Sequence, residues 1–383
     1  MKILILGGTG TMGSELADIL SANSENKLVI VSRRKRGCCN NCRYVAGDAM
    51  SKSFVEKIVG EKFDVTVDFM WHSAESISNL LPVILRSTGQ YFFLSSAAVY
   101  ANSDEPLHET SPRFIDFASE HEARTSQEYH IAKARAENVV RNATGGNWTI
   151  VRPHVTFGPS RFPICTWEMS TWLPCAAGNI PIAIPMDALP HTTTLATGRQ
   201  VAYQIINLFG KENALGEIFQ LGSEDVHTWG EILEKCRQVL QKLGIPLLVR
   251  ESSSNEISRL IPQMKSRFAC DRLLDRRFDM SKYKRIANDP VATTPTLDES
   301  LYQCIFQAIA KKQNVATINN YDALAANCKI VGHILNPSMF SGRDRLACFL
   351  RQHGFSDRIT TCIAFPEQAT KQGVALVKRL IKR

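Results

Sequence analysis

The glycine-rich run from Gly7 to Gly13 is the feature that most constrains how this chain can fold. It follows the apolar segment Ile3–Leu6 directly and opens a helical pattern. In such a strand–loop–helix unit, glycines permit a tight turn, close approach of the backbone to a pyrophosphate, and close packing of helix on strand. Phosphates then lie against the N–H groups of the helix N-terminus. The run therefore predicts a dinucleotide-binding loop of Gly7, Gly8, Thr9, Gly10, Thr11, Met12 and Gly13.

The first 152 residues alternate short apolar runs with helical spacing. The predicted strands are Ile3–Leu6, Leu28–Ser32, Tyr44–Ala46, Val65–Met70, Tyr91–Ser95 and Trp148–Arg152. Nearly continuous apolar character is typical of parallel strands covered on both faces. The pattern predicts an α/β fold, a Rossmann-type doubly wound parallel sheet with right-handed crossovers.

The remainder of the chain predicts two further parts. Residues 153–195 are rich in Pro and Thr, which favours a loop-built start to a smaller C-terminal substrate lobe, 153–310. A strand near 218–221 is expected to return to the sheet of the Rossmann domain, 1–152. Residues 311–383 are predicted to form a basic helical tail.

The net charge of +8 belongs to that tail alone. Residues 311–383 hold 12 Lys/Arg and 4 Asp/Glu, whereas residues 1–310 hold 33 of each. Composition therefore gives no reason to expect the main body to bind nucleic acid or a membrane. The tail pattern fits contact with an anionic surface or docking on a domain, within the chain or in a homodimer, and docking is favoured.

The cysteines and apolar runs bear on location. Eleven cysteines, an odd number, predict reduced thiols in a cytoplasmic protein. The N-terminal apolar run is too short for a secretory signal, and no run is long enough to span a membrane. Cys39-Asn-Asn-Cys42 could begin a zinc site, but no second pair completes four ligands, so we predict no metal site.

The end of the second strand bears on the cofactor. It reads Ser32-Arg33-Arg34, whereas an NAD site usually ends this strand with an acid that accepts bonds from the ribose hydroxyls. Because guanidinium groups pair well with a phosphate, these residues favour NADP over NAD; a solvated basic turn is the alternative. Asp48, followed by Ala49, could lie near the adenine or form a simple turn.

Ser96, Tyr129 and Lys133 form the candidate catalytic set. Tyr129 and Lys133 are four residues apart in a helical pattern and therefore share a face. An ammonium near a phenol lowers the phenol pKa towards the range useful for proton transfer. Ser96 follows a predicted strand, at the edge where ligands bind in open α/β sheets. This set predicts proton transfer by Tyr129 coupled to hydride transfer.

With these motifs the chain resembles the extended short-chain dehydrogenase/reductase family, which includes NAD-dependent epimerases and dehydratases of nucleotide sugars. The resemblance covers about residues 1–300 and also uses Gly47-Asp48, Ser95–Tyr100, Arg152-Pro153 and Gly158-Pro159. It implies a triad of Ser96, Tyr129 and Lys133, with Lys133 also gripping the nicotinamide ribose. It further implies that Pro153, His154 and Val155 flank the nicotinamide.

The same resemblance implies that the lobe after Gly158-Pro159 holds a nucleotide sugar. Within it, Arg161 could pair the diphosphate and Trp167 could stack on a base or sugar, with core packing of the tryptophan as the alternative. Ala97 and Ala98 replace the Asp-Glu pair of the 4,6-dehydrating members, which argues against dehydration. A ketoreductase or an epimerase is therefore expected, and Arg33 favours the ketoreductase. A non-enzymatic protein that binds RNA or another protein is the competing class.

Overall fold

The computed structural model describes residues 1–33, 41–288, 295–311, 318–353, 356–357, 360 and 364–365. The strands are β1 (Lys2–Leu6), β2 (Lys27–Ser32), β3 (Cys42–Ala46), β4 (Phe63–Asp68), β5 (Thr88–Leu94), β6 (Trp148–Pro153), β7 (Val155–Phe157), β8 (Pro163–Ile164), β9 (Trp167–Glu168), β10 (Ile182–Pro185), β11 (Thr192–Thr197), β12 (Glu217–Leu221), β13 (Val226–Thr228) and β14 (Val249–Ser252).

The helices are α1 (Thr11–Ser21), α2 (Lys52–Val59), α3 (Ala74–Leu85), α4 (Phe114–Phe117), α5 (Glu120–Thr125), α6 (Tyr129–Arg141), α7 (Met169–Ala177), α8 (Gly198–Ile206), α9 (Trp229–Lys242), α10 (Ser254–Leu260), α11 (Met264–Arg267), α12 (Ser281–Ala287), α13 (Leu297–Ala310), α14 (Tyr321–Val331) and α15 (Gly342–Gln352). A π-helical turn spans Phe268–Arg272.

The described residues form two compact units, each assembled from three stretches of chain. The first comprises Met1–Gly158, His191–Thr228 and Ala269–Ser300, and the second comprises Pro159–Pro190, Trp229–Phe268 and the residues from Leu301 onward. The sequence predicts contiguous domains 1–152, 153–310 and 311–383. The units are discontinuous because the chain supplies β12 and α12 to the first unit after β8–β10 have been added to the second.

A seven-stranded parallel sheet organises the first unit, in the order β12-β6-β5-β4-β1-β2-β3. β1 lies between β2 and β4, with Ile5 opposite Ile30 on one side and Val67 on the other. The direction of winding reverses between β1 and β4. In open α/β sheets a reversal of this kind leaves a crevice at the carboxyl ends of the strands, where ligands bind.

Both faces of this sheet are covered. Buried apolar side chains of α1, α8 and α12 pack on one face, and those of α2, α3 and α6 pack on the other. Ile3, Leu4 and Ile5 of the central strand are fully buried, as expected for a strand with helices on both sides. The predicted doubly wound Rossmann fold is confirmed.

The second unit has small sheets and helices of its own. β10 pairs with β14 in parallel, and β8 pairs with β9 antiparallel. The side chain of Asn327 on α14 accepts a hydrogen bond from Ala183 N (2.9 Å) and donates one to Pro181 O (2.9 Å), which joins α14 to β10.

Residues 153–195 were predicted to have few regular elements, and this prediction is wrong. The segment contains β7–β11 and α7, and Pro174 lies within that helix. The strands have two to six residues, too short for the alternation of polar and apolar residues to be visible. α7 is buried at seven of its nine positions, so it lacks the polar face that marks a helix in sequence.

Two predictions concerning the tail fare differently. Within 311–383, α14 and α15 are helical. The end of the predicted basic tail, residues 366–383, lies outside the described residues, so its predicted docking or contact with an anionic surface stays a prediction. Among the residues that the structure describes, no helix is long and apolar enough to cross a bilayer.

Candidate active site

The glycine run forms the turn between β1 and α1. Gly7 has a φ of +75°, a left-handed conformation that favours glycine. A Cβ on Gly13 would lie 2.8 Å from Gly7 O and Gly8 Cα, and a Cβ on Gly8 would lie 2.5 Å from Ile30 Cγ2. These glycines are therefore required for the turn and for the packing of α1 on the sheet.

Gly10 has a different environment. A Cβ there would meet only Gly7 O, at 3.9 Å, so the backbone at this residue faces open space. Gly10 precedes α1 as its N-cap and supplies no side chain to the first-turn N–H groups, which in any α-helix lack acceptors within the helix. An open cradle at a helix N-terminus has room for a pyrophosphate, and the role of residues 7–13 in binding it stays a prediction.

The other predicted cofactor residues lie at the ends of β2 and β3. Ser32 is buried at the end of β2, where its carbonyl accepts a bond from Gly47 N (3.0 Å), and Arg33 follows it on the surface. Asp48 is exposed and accepts a bond from Met50 N (2.9 Å), and Ala49 is buried. The bond to Met50 closes a local turn at Asp48. Arg34 lies outside the described residues.

Ser96 follows β5 at the carboxyl edge of the sheet. It caps the short 3₁₀ turn Ala97–Val99, where its Oγ accepts a bond from Ala98 N (3.2 Å). The accepted bond fixes the hydroxyl oxygen and leaves its proton available for donation to a substrate oxygen.

Helix α6 carries Tyr129 and Lys133 one turn apart, in contrasting environments. Tyr129 is the first residue of the helix and is 48% exposed, whereas Lys133 is only 3% exposed. Lys133 Nζ donates to Leu94 O (2.9 Å), two residues before Ser96, and lies 5.5 Å from the centre of the Phe93 ring. The end of β5 and the first turn of α6 are thus joined through Lys133.

Burial lowers the pKa of Lys133 to about 8, against the opposing effect of the carboxylates of Asp68 and Glu137. A lysine that holds its proton weakly, beside a tyrosine one turn away, is suited to tune proton transfer.

A buried polar cluster that sequence reasoning missed lies behind Lys133. Asp68 ends β4, and its Oδ2 accepts bonds from Tyr91 OH (2.9 Å) and lies 2.8 Å from His72 Nε2. All three side chains are fully buried, and burial raises the pKa of Tyr91 well above its usual range. The feature of the sequence that could have indicated this cluster is Asp68, an acid at the end of an otherwise apolar strand.

The low pKa of Lys133 predicts a pH-dependent stability effect. In the unfolded chain a lysine titrates near ~10.4. The buried charge therefore destabilises the fold at pH 7, and this penalty disappears as pH rises from about 8 towards ~10.4. Replacing Lys133 by Met removes a penalty of about 3 kcal/mol and sacrifices roughly 1 kcal/mol for the bond to Leu94. We expect K133M to be about 2 kcal/mol more stable at pH 7.

Urea unfolding of K133M and the parent from pH 7 to pH ~10.4 measures this effect, with the gain shrinking across the titration window. The exposed Lys57 on α2 provides the control, since K57M should show no such trend. A K133M protein that is less stable than the parent at pH 7 would contradict the interpretation.

A buried ion cluster anchors α6 to β6. Glu137, one turn beyond Lys133, accepts from Arg152 Nε (2.8 Å) and Nη2 (2.7 Å) and from Arg113 Nη1 (3.2 Å). Burial raises the pKa of Glu137, but the Arg152 and Arg113 guanidinium groups outweigh this effect and hold it below its usual range. Arg152, part of the Arg152-Pro153 motif, therefore positions the helix that carries Tyr129 and Lys133.

His154 lies deep in the first unit. Its ring stacks on Phe278 (centroids 3.8 Å apart), and its Nδ1 lies 2.7 Å from Thr194 Oγ1. A Cβ on Gly222 would lie 2.2 Å from His154 Nδ1, so that glycine is required. Burial lowers the pKa of His154 to about 3, and the imidazole is neutral at physiological pH.

Pro153 and Val155 lie beside His154 at the end of β6 and the start of β7, where β7 pairs with β11. β7 also reaches α1, since Thr156 Oγ1 lies 3.9 Å from Met12 Sδ. That contact places β7 next to the first turn of the glycine-loop helix. The predicted contact of Pro153, His154 and Val155 with the nicotinamide stays a prediction.

The predicted substrate residues lie in the second unit. Arg161 is half-exposed and pairs with Glu168 (3.3 Å). Trp167 is 1% exposed and donates its indole N–H to Ala183 O. This environment favours the core-packing alternative for Trp167 and leaves Arg161 as the accessible group of the two.

Comparison with known proteins agrees with this fold. Residues 3–164 match the model of the NAD dependent epimerase/dehydratase family, which confirms the resemblance over this part of the chain. A comparison with curated protein sequences finds no match.

Solved structures with the same fold include UDP-glucuronic acid 4-epimerase from Bacillus cereus in complex with UDP-glucuronic acid and NAD, at 16% identity and a TM-score of 0.62. The alignment covers 82% of this chain and 100% of that chain. An epimerase from Methanothermobacter thermautotrophicus aligns at 16% identity and a TM-score of 0.62, over 82% and 93% of the chains. MoeE5 in complex with UDP-glucose and NAD aligns at 15% identity and a TM-score of 0.61, over 82% and 100%.

Proposed function

We propose that this protein is an NAD(P)-dependent oxidoreductase of nucleotide sugars. The match of residues 3–164 to the NAD dependent epimerase/dehydratase family is the premise of this proposal. The observation that carries the proposal is that one sheet edge holds the glycine-loop cradle after β1 and the Ser96–Tyr129–Lys133 set after β5. The solved structures of UDP-glucuronic acid 4-epimerase and MoeE5, which are complexes with a UDP-sugar and NAD, support the choice of substrate class.

The residues present fit a dinucleotide, since the backbone around Gly10 leaves an open cradle at a helix N-terminus. Residues 7–13 would hold the pyrophosphate, and Lys133 would contact the nicotinamide ribose. The bound cofactor would supply hydride transfer. The hydroxyl of Ser96 would donate a hydrogen bond to the substrate oxygen, and Tyr129 would transfer the single proton to or from that oxygen.

Between the two reactions still open, we propose ketoreduction. Arg33 stands where NAD sites carry an acid, and a guanidinium there suits the 2′-phosphate of NADP. A reductase consumes NADPH at each turnover, whereas an epimerase returns the hydride to the same substrate. We further propose that the protein works in the cytoplasm as a homodimer.

The purified full chain, incubated with NADPH and a panel of UDP-, dTDP- and GDP-linked ketosugars and sugars, tests the proposal. We expect oxidation of NADPH at 340 nm, matched mole for mole by a reduced nucleotide sugar on chromatography. Interconversion of two nucleotide sugars without consumption of NADPH would show that the protein is an epimerase and not a ketoreductase. Failure to bind either dinucleotide would overturn the proposed function.

The role of Arg33 is tested by R33D. Loss of a charge-assisted bond to the 2′-phosphate should lower the preference for NADPH over NADH roughly 10- to 100-fold, measured as the ratio of dissociation constants. K27D, a matched charge reversal at the exposed amino end of β2, serves as the control. An unchanged ratio in R33D would assign Arg33 to the solvated turn.

A further inference from the structure

Three metal-ligating side chains from separate parts of the sequence meet beside the first turn of α6. Glu128 precedes the helix as its N-cap, His130 is its second residue, and Cys270 lies in the π-helical turn Phe268–Arg272. His130 Nε2 lies 3.3 Å from Glu128 Oε2 and 3.4 Å from Cys270 Sγ. The three donor atoms all lie within 4.8 Å of one another.

These separations match those between ligands on a tetrahedral zinc ion. Bond lengths of about 2.0–2.1 Å to nitrogen, ~2.3 Å to sulfur and ~2.0–2.2 Å to oxygen place neighbouring ligand atoms roughly 3.3–3.6 Å apart. The pairs His130–Glu128 and His130–Cys270 already lie at such distances. The third pair, Glu128–Cys270, lies within 4.8 Å, which is close enough for a small side-chain movement to bring all three atoms onto one ion.

The chemistry and burial of the three groups also suit a cation of the zinc class. Imidazole, thiolate and carboxylate together are typical zinc ligands. A thiolate on Cys270 and the carboxylate of Glu128 carry two negative charges, which balance the two positive charges of the ion. His130 is buried, with its ring 4.7 Å from that of Phe114, whereas Glu128 is half-exposed and leaves a route for entry.

Arg276 is a cationic group next to this cluster, and its Nη2 donates a hydrogen bond to Cys270 O (2.6 Å). This bond fixes the backbone of the turn that carries Cys270. The positive charge of Arg276 opposes an incoming cation, and the negative charges of a Cys270 thiolate and of Glu128 offset this effect.

We propose that Glu128, His130 and Cys270 form a three-ligand site for a zinc-class divalent cation, with water as the fourth ligand. Because Glu128 and His130 flank Tyr129 in sequence, the bound ion would fix the first turn of α6 and join it to the Phe268–Arg272 turn. Sequence reasoning missed this site because Cys270 is 140 residues from His130. The proposal is independent of the catalytic activity proposed above.

Cobalt titration of the full chain tests the site. All proteins carry C38S and C39S, since those thiols with Cys42 offer a competing site in sequence. After treatment with a chelator, we expect one equivalent of Co²⁺ to bind, with strong tetrahedral d–d absorption and a thiolate-to-cobalt charge-transfer band. Zn²⁺ should displace it stoichiometrically.

Variants assign the ligands. C270S should abolish the charge-transfer band, and E128Q, a nearly isosteric change at a half-exposed side chain, should weaken Co²⁺ binding roughly tenfold or more. H108Q, which removes one partner of the two-residue His108–Asp279 pair (3.1 Å) in the same unit, should bind Co²⁺ like the parent. Zn²⁺ should also slow amide exchange over residues 128–133 in the parent but not in E128Q.

Each of three results would overturn the proposal. The first is the absence of stoichiometric Co²⁺ binding in the parent. The second is a charge-transfer band that persists in C270S, and the third is parent-like affinity in E128Q.

Discussion

Replacing Tyr129 by Phe is expected to reduce kcat roughly 10²- to 10⁴-fold, the range attributed to a positioned general acid or base. The phenol at the start of α6 is half-exposed, whereas Lys133 one turn later is buried against Leu94 and Phe93. Tyr129 is therefore accessible and lies one helical turn from a buried lysine. Because Phe keeps the ring and loses only the hydroxyl, binding of the dinucleotide should stay unchanged.

Single-turnover kinetics with NADPH and fluorescence titration of the dinucleotide separate these effects. Tyr203 on α8 is exposed to a similar degree in the same unit, so Y203F is the matched control and should retain parent activity. Parent-like kcat in Y129F would exclude Tyr129 as the acid or base. Joint loss of activity and cofactor binding would instead indicate damage to the fold.

The sequence was informative about this region wherever a local pattern determines the structure. The turn at Gly7 requires a left-handed conformation, and Gly13 packs against Gly7 and Gly8, so the run can be read from adjacent residues. The strands of the sheet are continuous apolar runs, and their alternation with helices limits the possible orders of strands. The spacing of Tyr129 and Lys133 likewise places them on one face of α6.

The surroundings of those residues depend on contacts between distant segments, which local patterns do not contain. Asp68 meets Tyr91 because β4 and β5 are neighbours in the sheet. His154 follows the Arg152-Pro153 motif, yet its environment is set by Phe278 and Gly222, supplied much later in the chain. Trp167 has an aromatic ring that could stack on a base or sugar, but the short strands around it bury it.

The same limitation applied to Glu137, which in sequence is one acid on a helix. In the fold it is fully buried, and two guanidinium groups surround it. Removal of one partner of a buried ion pair leaves the other charge without compensation, which costs far more than the pair contributes as a whole. Glu137 therefore determines whether α6 stays on the sheet with Lys133 directed at Leu94.

Replacing Glu137 by Gln is accordingly expected to lower the free energy of unfolding by about 3–5 kcal/mol at pH 7, since Arg152 remains buried without a carboxylate and Arg113 keeps only Asp116 (3.0 Å). The pKa of Glu137 is depressed in the fold, so its contribution is present above the unfolded value near ~4.3 and is lost as pH falls through the folded value. Urea unfolding should thus show the difference between E137Q and the parent shrinking below pH ~4.

E120Q is the matched control. It removes the exposed Glu120–Arg124 pair and should lower the free energy of unfolding by no more than about 0.5 kcal/mol. Addition of R152M to E137Q should restore part of the stability, because it removes the uncompensated charge of Arg152. An E137Q protein as stable as E120Q would show that the cluster does not hold α6 in place.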